Sequence, residues 1–237
     1  MINYTDAHCH VISASPCPDA LAGRICNATT QDEWAKISET VNDKNFACIG
    51  IHPWNIESIA PDWESELYDM LVRNPILMVG ETGMDKYHPN IETQEKIFIS
   101  QMQIASKLRR PVHLHCVGAW DKILHIFKEL YRNMPPVIVA HAFNGDESII
   151  TQLAEKYNVY FSYSTPNDAR TIARITHTPT QRLLIESDAH DEQTEIQTIE
   201  DASNTIAKIL GQDDDLFIEQ IYQNFQRVIS YVRPIDN

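Results

Sequence analysis

Val137-Ile-Val-Ala-His141 is followed by Ala-Phe-Asn-Gly145 and then by the amphipathic stretch 147–157, Glu-Ser-Ile-Ile-Thr-Gln-Leu-Ala-Glu-Lys-Tyr. A short, wholly apolar run that stops at a histidine reads as a strand buried on both faces. The stretch after it carries the apolar spacing of a one-sided helix. Another apolar run, 159–164, comes next, so this part of the chain reads strand, loop, helix, strand. Working outward, the same unit recurs. Strands are expected at 2–8, 24–29, 46–52, 76–81, 112–115, 137–141, 159–164 and 183–187. Helices are expected at 31–42, 61–73, 91–108, 119–132, 147–157 and 168–176, with 195–210 and 214–231 closing the chain. The gap between the first two strands is short and holds Pro16 and Pro18, which speaks against a full helix there. Strands alternating with helices argue for parallel βα units, and eight of them at 237 residues argue for a closed (β/α)8 TIM barrel in one domain.

The polar residues are placed where such a barrel needs them. His8, His10, His52, Glu81, His115, His141 and Asp188 all fall at the C-terminal ends of expected strands, the face that carries the active site in these barrels. In Asp6-x-His8-x-His10, residues two apart point to one side of a strand, so both imidazoles can reach one ion. His113 and His115 have the same spacing. Taken singly, a buried His is more often a structural residue than a ligand. The paired spacing reverses that reading, because imidazole and carboxylate are the donors that Zn, Mn, Mg or Fe accept. Asp6 reads as an acceptor orienting an imidazole. Glu186 lies one pleat deeper than Asp188 and reads equally as a structural carboxylate. Glu81, between Gly80 and Gly83, is positioned to bridge two ions. Asp188 is the candidate general base. His52 reads as a substrate contact, a loop cap or a ligand, and His190 as a substrate contact. His88, His125 and His177 read as surface residues.

Composition narrows the function classes. With 19 basic and 33 acidic residues, the net charge is −14. That opposes broad duplex binding, which depends on Lys and Arg neutralising phosphates. Two divalent ions would make the field positive locally without changing the global sign. The five cysteines are odd in number and lack C-x-x-C pairing, which fits reduced thiols, and Cys9 and Cys116 read as small core residues. No apolar run is long enough to cross a bilayer, and no signal-peptide pattern follows Met1, so a cytoplasmic protein is expected, with neither membrane nor protein partner inferred. There is no G-x-S-x-G elbow, no G-x-x-x-x-G-K-[ST] loop and no G-x-G-x-x-G fingerprint among only seven glycines.

In order, D-x-H-x-H (6–10), G-I-H-P (50–53), G-E-T-G-M-D (80–85), Q-x-x-x-F-x-x-Q (94–101), P-V-H-L-H (111–115), H-A-F-N-G (141–145) and L-L-I-E-S-D-A (183–189) resemble the TatD family of metal-dependent deoxyribonucleases. These are TIM-barrel members of the amidohydrolase-like superfamily, and the match runs from residue 3 to Asn224-Phe225. The resemblance implies one ion on His8, His10 and Asp188, a second on His115 and His141, and Glu81 bridging. It implies two divalent ions and a phosphodiester substrate such as single-stranded DNA. Two departures stand out. Trp54 occupies a place where the family often has His, in His-Pro-His, and Val117 one where it often has Arg. The missing Arg removes a bidentate phosphate partner. The alternative enzyme is an amidohydrolase-like hydrolase of a carboxylic ester, amide or lactone. A metal-binding protein without turnover is the third reading.

Overall fold

A computed structural model describes residues 3–12 and 16–232. Eight strands follow one another: β1 (Tyr4–Cys9), β2 (Leu21–Asn27), β3 (Asn45–Ile49), β4 (Met78–Asp85), β5 (Val112–Val117), β6 (Ile138–Ala140), β7 (Val159–Tyr163) and β8 (Leu183–Ile185). Every neighbouring pair is parallel, and the spatial order equals the chain order. The sheet comes round on itself. The Asp188 N–H donates to the His8 carbonyl at 2.9 Å, and the His10 N–H donates to the Ala189 carbonyl at 2.7 Å. This is the (β/α)8 barrel expected from the alternation of strand and helix patterns.

The helices α1 (Trp34–Ser38), α2 (Trp63–Arg73), α3 (Ile91–Leu108), α4 (Trp120–Glu129), α5 (Glu147–Lys156), α6 (Ala169–His177) and α7 (Glu192–Leu210) wrap the outside, and α8 (Asp214–Ile229) ends the described helices. Among the described residues between β1 and β2 there is no helix, in keeping with Pro16 and Pro18. Asp146, Asp168, Asp191 and Asp213 cap α5, α6, α7 and α8, each carboxylate accepting the N–H three residues on. Each such cap stabilises its helix by about 1 kcal/mol and fixes where the preceding loop ends.

Two apolar layers result. Leu67, Leu71, Phe98, Met102, Ile123, Phe127, Ile150 and Leu153 pack from the helices against outward residues such as Ile49, Val79, Leu114 and Phe161. Inside the barrel, Ile25, Phe46, Cys48, Met78, Val139, Tyr160 and Leu184 form a plug with Phe225, Val228 and Ile229 of α8. The last helix therefore stoppers the end at which the strands begin. Phe225 meets Phe46 edge-to-face at 6.1 Å, a favourable ring geometry. It reaches so far because Gly23 carries no side chain: a Cβ there would lie 2.9 Å from the Phe225 ring. With one end plugged, the opposite mouth is left for chemistry.

Several boundaries differ from expectation. The expected first strand begins at residue 2, outside the described residues, and the visible strand runs on to Cys9. β4 continues past Glu81 to Asp85, pairing Gly83 with His115 on β5. A Cβ on Gly83 would stand 1.8 Å from the His115 carbonyl oxygen, and its φ of +153° lies where L side chains rarely go. Glycine lets the two strands close up, and the pairing extends. β8 stops at Ile185, so Glu186, Ser187 and Asp188 belong to the loop beyond it. The helix expected over 31–42 is a 3-10 turn, Gln31–Glu33, followed by the short α1.

Candidate metal centre

Seven side chains from six strand ends converge on the open mouth, and Glu81 stands at their centre. Its two oxygens face different partners. Oε2 lies 3.5 Å from His8 Nε2 and 3.6 Å from His10 Nε2. Oε1 lies 2.7 Å from His115 Nδ1, 3.5 Å from His52 Nε2 and 3.7 Å from His141 Nε2. Asp188 Oδ1 completes the first side, 3.2 Å from His10 Nε2 and 3.9 Å from His8 Nε2. His8, His10 and Asp188 form one tight donor group; His52, Glu81 and His115 form another. His141 bridges the two sides, its ring stacked at 3.7 Å on that of His8.

The rings are held from behind. The His10 Nδ1–H donates to the Asn27 carbonyl at 2.9 Å, which turns Nε2 toward Asp188 and the mouth. His141 Nδ1 pairs with Glu186 Oε2 at 3.0 Å, which turns its Nε2 toward Glu81. Glu186 is itself fixed by the Ser162 hydroxyl and by the Ala142 N–H. A carboxylate behind a ligating imidazole orients it and raises its basicity. Glu186 is thus a positioning group, and Ser162, which motif spacing does not reveal, joins it from β7. Asp6 sits deeper and accepts the backbone N–H groups of His8 and Ser187, at 3.0 and 3.1 Å. It ties β1 to the segment after β8 through the backbone, where the sequence suggests an imidazole as its partner.

His52 is inward as well. Its Nδ1 accepts the Trp54 N–H at 3.2 Å, so in the neutral ring Nε2 carries the proton and points at Glu81 and His115. That tautomer donates and does not ligate. His190 is exposed at the rim, its ring stacked at 5.0 Å over His10. His113 faces inward one pleat below His115, buried, with no partner on either ring nitrogen.

The electrostatics suit cation binding. Burial, reinforced by repulsion from His141, pulls His8 down to about 4, so its ring is neutral at physiological pH. Burial alone would raise Glu81, but the charge of His141 and hydrogen bonds from His115 and His52 outweigh it and hold the carboxylate well below its ordinary range. Burial likewise opposes ionisation of Asp188, yet the hydrogen bond from His10 and the nearby imidazoles bring it to about 2. His141 is raised to about 10 because Glu186 and Glu81 outweigh the effect of burial. The residues fit an ion: neutral or displaceable imidazoles face two carboxylates, His8 Nε2 and His10 Nε2 lie 3.3 Å apart, and the His115 Nε2 is buried without a partner. A further donor group, Asp6, Cys9 and Glu195, lies under β1, where Glu195 pairs with the buried Arg24 at 2.9 Å.

This geometry agrees with the comparison of the chain with known proteins. The sequence pattern of the family described as TatD related DNase matches residues 5–230. The chain belongs to the TatD family. It is 27% identical over 208 residues to the protein of Escherichia coli K12 named uncharacterized metal-dependent hydrolase YjjV, covering 79% of this chain and 80% of that one. It is 25% identical over 170 residues to the 3'-5' ssDNA/RNA exonuclease TatD of Pantoea ananatis, covering 69% of this chain and 65% of that enzyme. The crystal structure of YjjV superimposes with a TM-score of 0.82, covering 96% of this chain and 98% of that chain at 20% identity, a likeness of fold.

Proposed function

We propose that this TatD-family protein is a divalent-metal-dependent hydrolase that cleaves phosphodiester bonds of single-stranded nucleic acid. One observation carries the reading: the two oxygens of Glu81 are shared between two sets of imidazoles, the arrangement of a carboxylate set between two ions. His8, His10 and Asp188 would hold one ion, His115 and His141 a second, and Glu81 both; Zn, Mn, Mg and Fe are all compatible with these donors. When bound, the ions supply Lewis acidity, acidifying a water and neutralising charge on phosphoryl oxygens.

The chain's own groups do the rest. Asp188 is half-exposed at the mouth, ionised, and reaches both substrate space and the ligand set. It is positioned to orient the attacking water and accept its proton. Glu186 and Asn27 hold His141 and His10 in the orientation that ligation needs. His52 presents an N–H to the same centre, and His190 lines the rim as a substrate contact. We read the protein as one catalytic unit working in the cytoplasm, a compartment in keeping with five buried free thiols.

A second reading, hydrolysis of a carboxylic ester, amide or lactone, is favoured by Val117 standing where a phosphate-binding Arg is common. One experiment separates the two. The protein is stripped with a chelator, reloaded with each metal in turn, and assayed on single-stranded oligonucleotides beside ester, amide and lactone panels. Metal-restored cleavage of the oligonucleotide supports the nuclease. Cleavage restricted to carbonyl substrates overturns it.

A further inference from the structure

Beside the candidate metal centre stands an aromatic residue with no structural reason to be exposed. Trp54 follows His52 and Pro53 in a 3-10 turn and is 55% exposed, whereas Trp34, Trp63 and Trp120 are buried. Its ring is nonetheless fixed. The indole N–H donates to Asp85 Oδ2 at 2.7 Å, and Asp85 is buried, its own N–H held by Gln94 Oε1 at 2.8 Å. The other Asp85 oxygen accepts the Tyr87 N–H at 2.8 Å, and Tyr87 is 81% exposed next to it. The Trp54 backbone N–H is bound by His52, and Asn55 anchors the turn to the Thr29 carbonyl at 2.7 Å. The indole lies edge-on to His52 at 5.2 Å and to His115 at 6.3 Å, and nearly parallel to His88 at 5.8 Å.

We propose that Trp54 is a stacking platform for a nucleobase, seating the base of the nucleotide whose phosphate lies at the metal centre. The inference rests on the nuclease reading and deepens it. Proximity supports it: a base and its own phosphate are separated by one sugar, and the indole stands one ring away from two imidazoles of the centre. Energetics support it too. A chain with net charge −14 draws little affinity from phosphate neutralisation, so a strand must be held by the ions and by its flat faces. Stacking of a base on an aromatic ring supplies affinity without reading sequence, because every base has a flat face. A ring immobilised beforehand by Asp85 loses little freedom when a base arrives.

The test compares oligothymidylate with a base-less tetrahydrofuran strand of equal length, using the metal-loaded protein. The wild type is expected to favour the strand with bases by about tenfold in KM. Trp54→Ala should bring that ratio close to one with little change in kcat, and Trp54→Phe should retain part of it. Intrinsic fluorescence supplies a reading free of turnover. Oligothymidylate should quench the red edge of the emission, the base-less strand should not, and Trp54→Phe should abolish the quench, since the other three indoles are buried. Base-dependent quenching without any hydrolysis would refute the nuclease reading and keep the platform. Hydrolysis with a preference ratio unmoved in Trp54→Ala, or equal quenching by both strands, overturns the platform. A changed oligomeric state of Trp54→Ala on gel filtration assigns the ring to a contact between copies and overturns it as well.

Discussion

At the scale of the residue, Asp188 and His141 carry opposite charges for reasons that make separate predictions. Asp188→Asn keeps the shape and one oxygen but removes the charge and the basicity, so it should bind at least one ion and lose hydrolysis by orders of magnitude. Near-full turnover of the metal-loaded variant would transfer the role of base to Glu81. His141 holds its proton up to about 10 in the metal-free site, and an ion can bind its Nε2 only once that proton leaves. Metal affinity should therefore climb with pH through the neutral range. Calorimetry in buffers of different ionisation enthalpy should show about one proton released per protein at pH 7; no release would remove His141 from the ligand set. The raised value also stabilises the metal-free fold. That contribution is complete below 6.5, the ordinary histidine value, and is lost as pH rises through about 10. The ligand candidates were legible in the sequence because paired spacing at strand ends is a local property. The service of Ser162 and Glu186 to His141 was not, since their meeting depends on the register of three strands. Nor was the half-exposure of Asp188, which arises because β8 ends three residues earlier.

At the scale of the element, the β4–β5 pair depends on a missing side chain. Gly83→Ala would drive a methyl group into the His115 carbonyl and demand a backbone conformation alien to alanine. Overpacking of this kind typically costs about 1–3 kcal/mol. The melting temperature should fall by roughly 5 °C, and metal affinity should fall with it, because His115 and Glu81 ride on the displaced strands. A variant that melts like the wild type and binds metal normally would show that the strands can part without consequence for the site. The centres of the strands and long helices could be read from periodicity, and α3 matches its expected span of 91–108. Their ends could not. β4 lengthens through a glycine contact with a strand distant in sequence, β8 stops at Ile185, and α1 spans only Trp34–Ser38.

At the scale of the whole molecule, the acidic surface sets how substrate is met. Affinity for long duplex DNA should be weak, and single-strand affinity should change little between low and moderate salt, since few phosphate counterions can be released. Tight duplex binding with a steep salt dependence, measured by fluorescence anisotropy, would reveal a basic surface assembled by folding. No helix among the described residues is long and apolar enough to cross a membrane. The closed barrel was legible because its alternation of strand and helix is repeated along the chain; the hydrogen bonds that close it, between residues 8–10 and 188–189, were not, because they join positions far apart in the sequence. That closure has a consequence for synthesis and breakdown. The hydrogen bonds from Asp188 to His8 and from His10 to Ala189 run between the first strand and the last, and the proposed ligands His8, His10 and Asp188 straddle the same join. An ion there would act as a clasp across that join, added to the hydrogen bonds already spanning it. A nascent chain still lacking residue 188 could hold no ion at that position, so loading must follow synthesis of the segment after β8. Chelation should then loosen β1 and the segment after β8 first, seen as faster amide exchange at His10 and Asp188 before any change in the central strands.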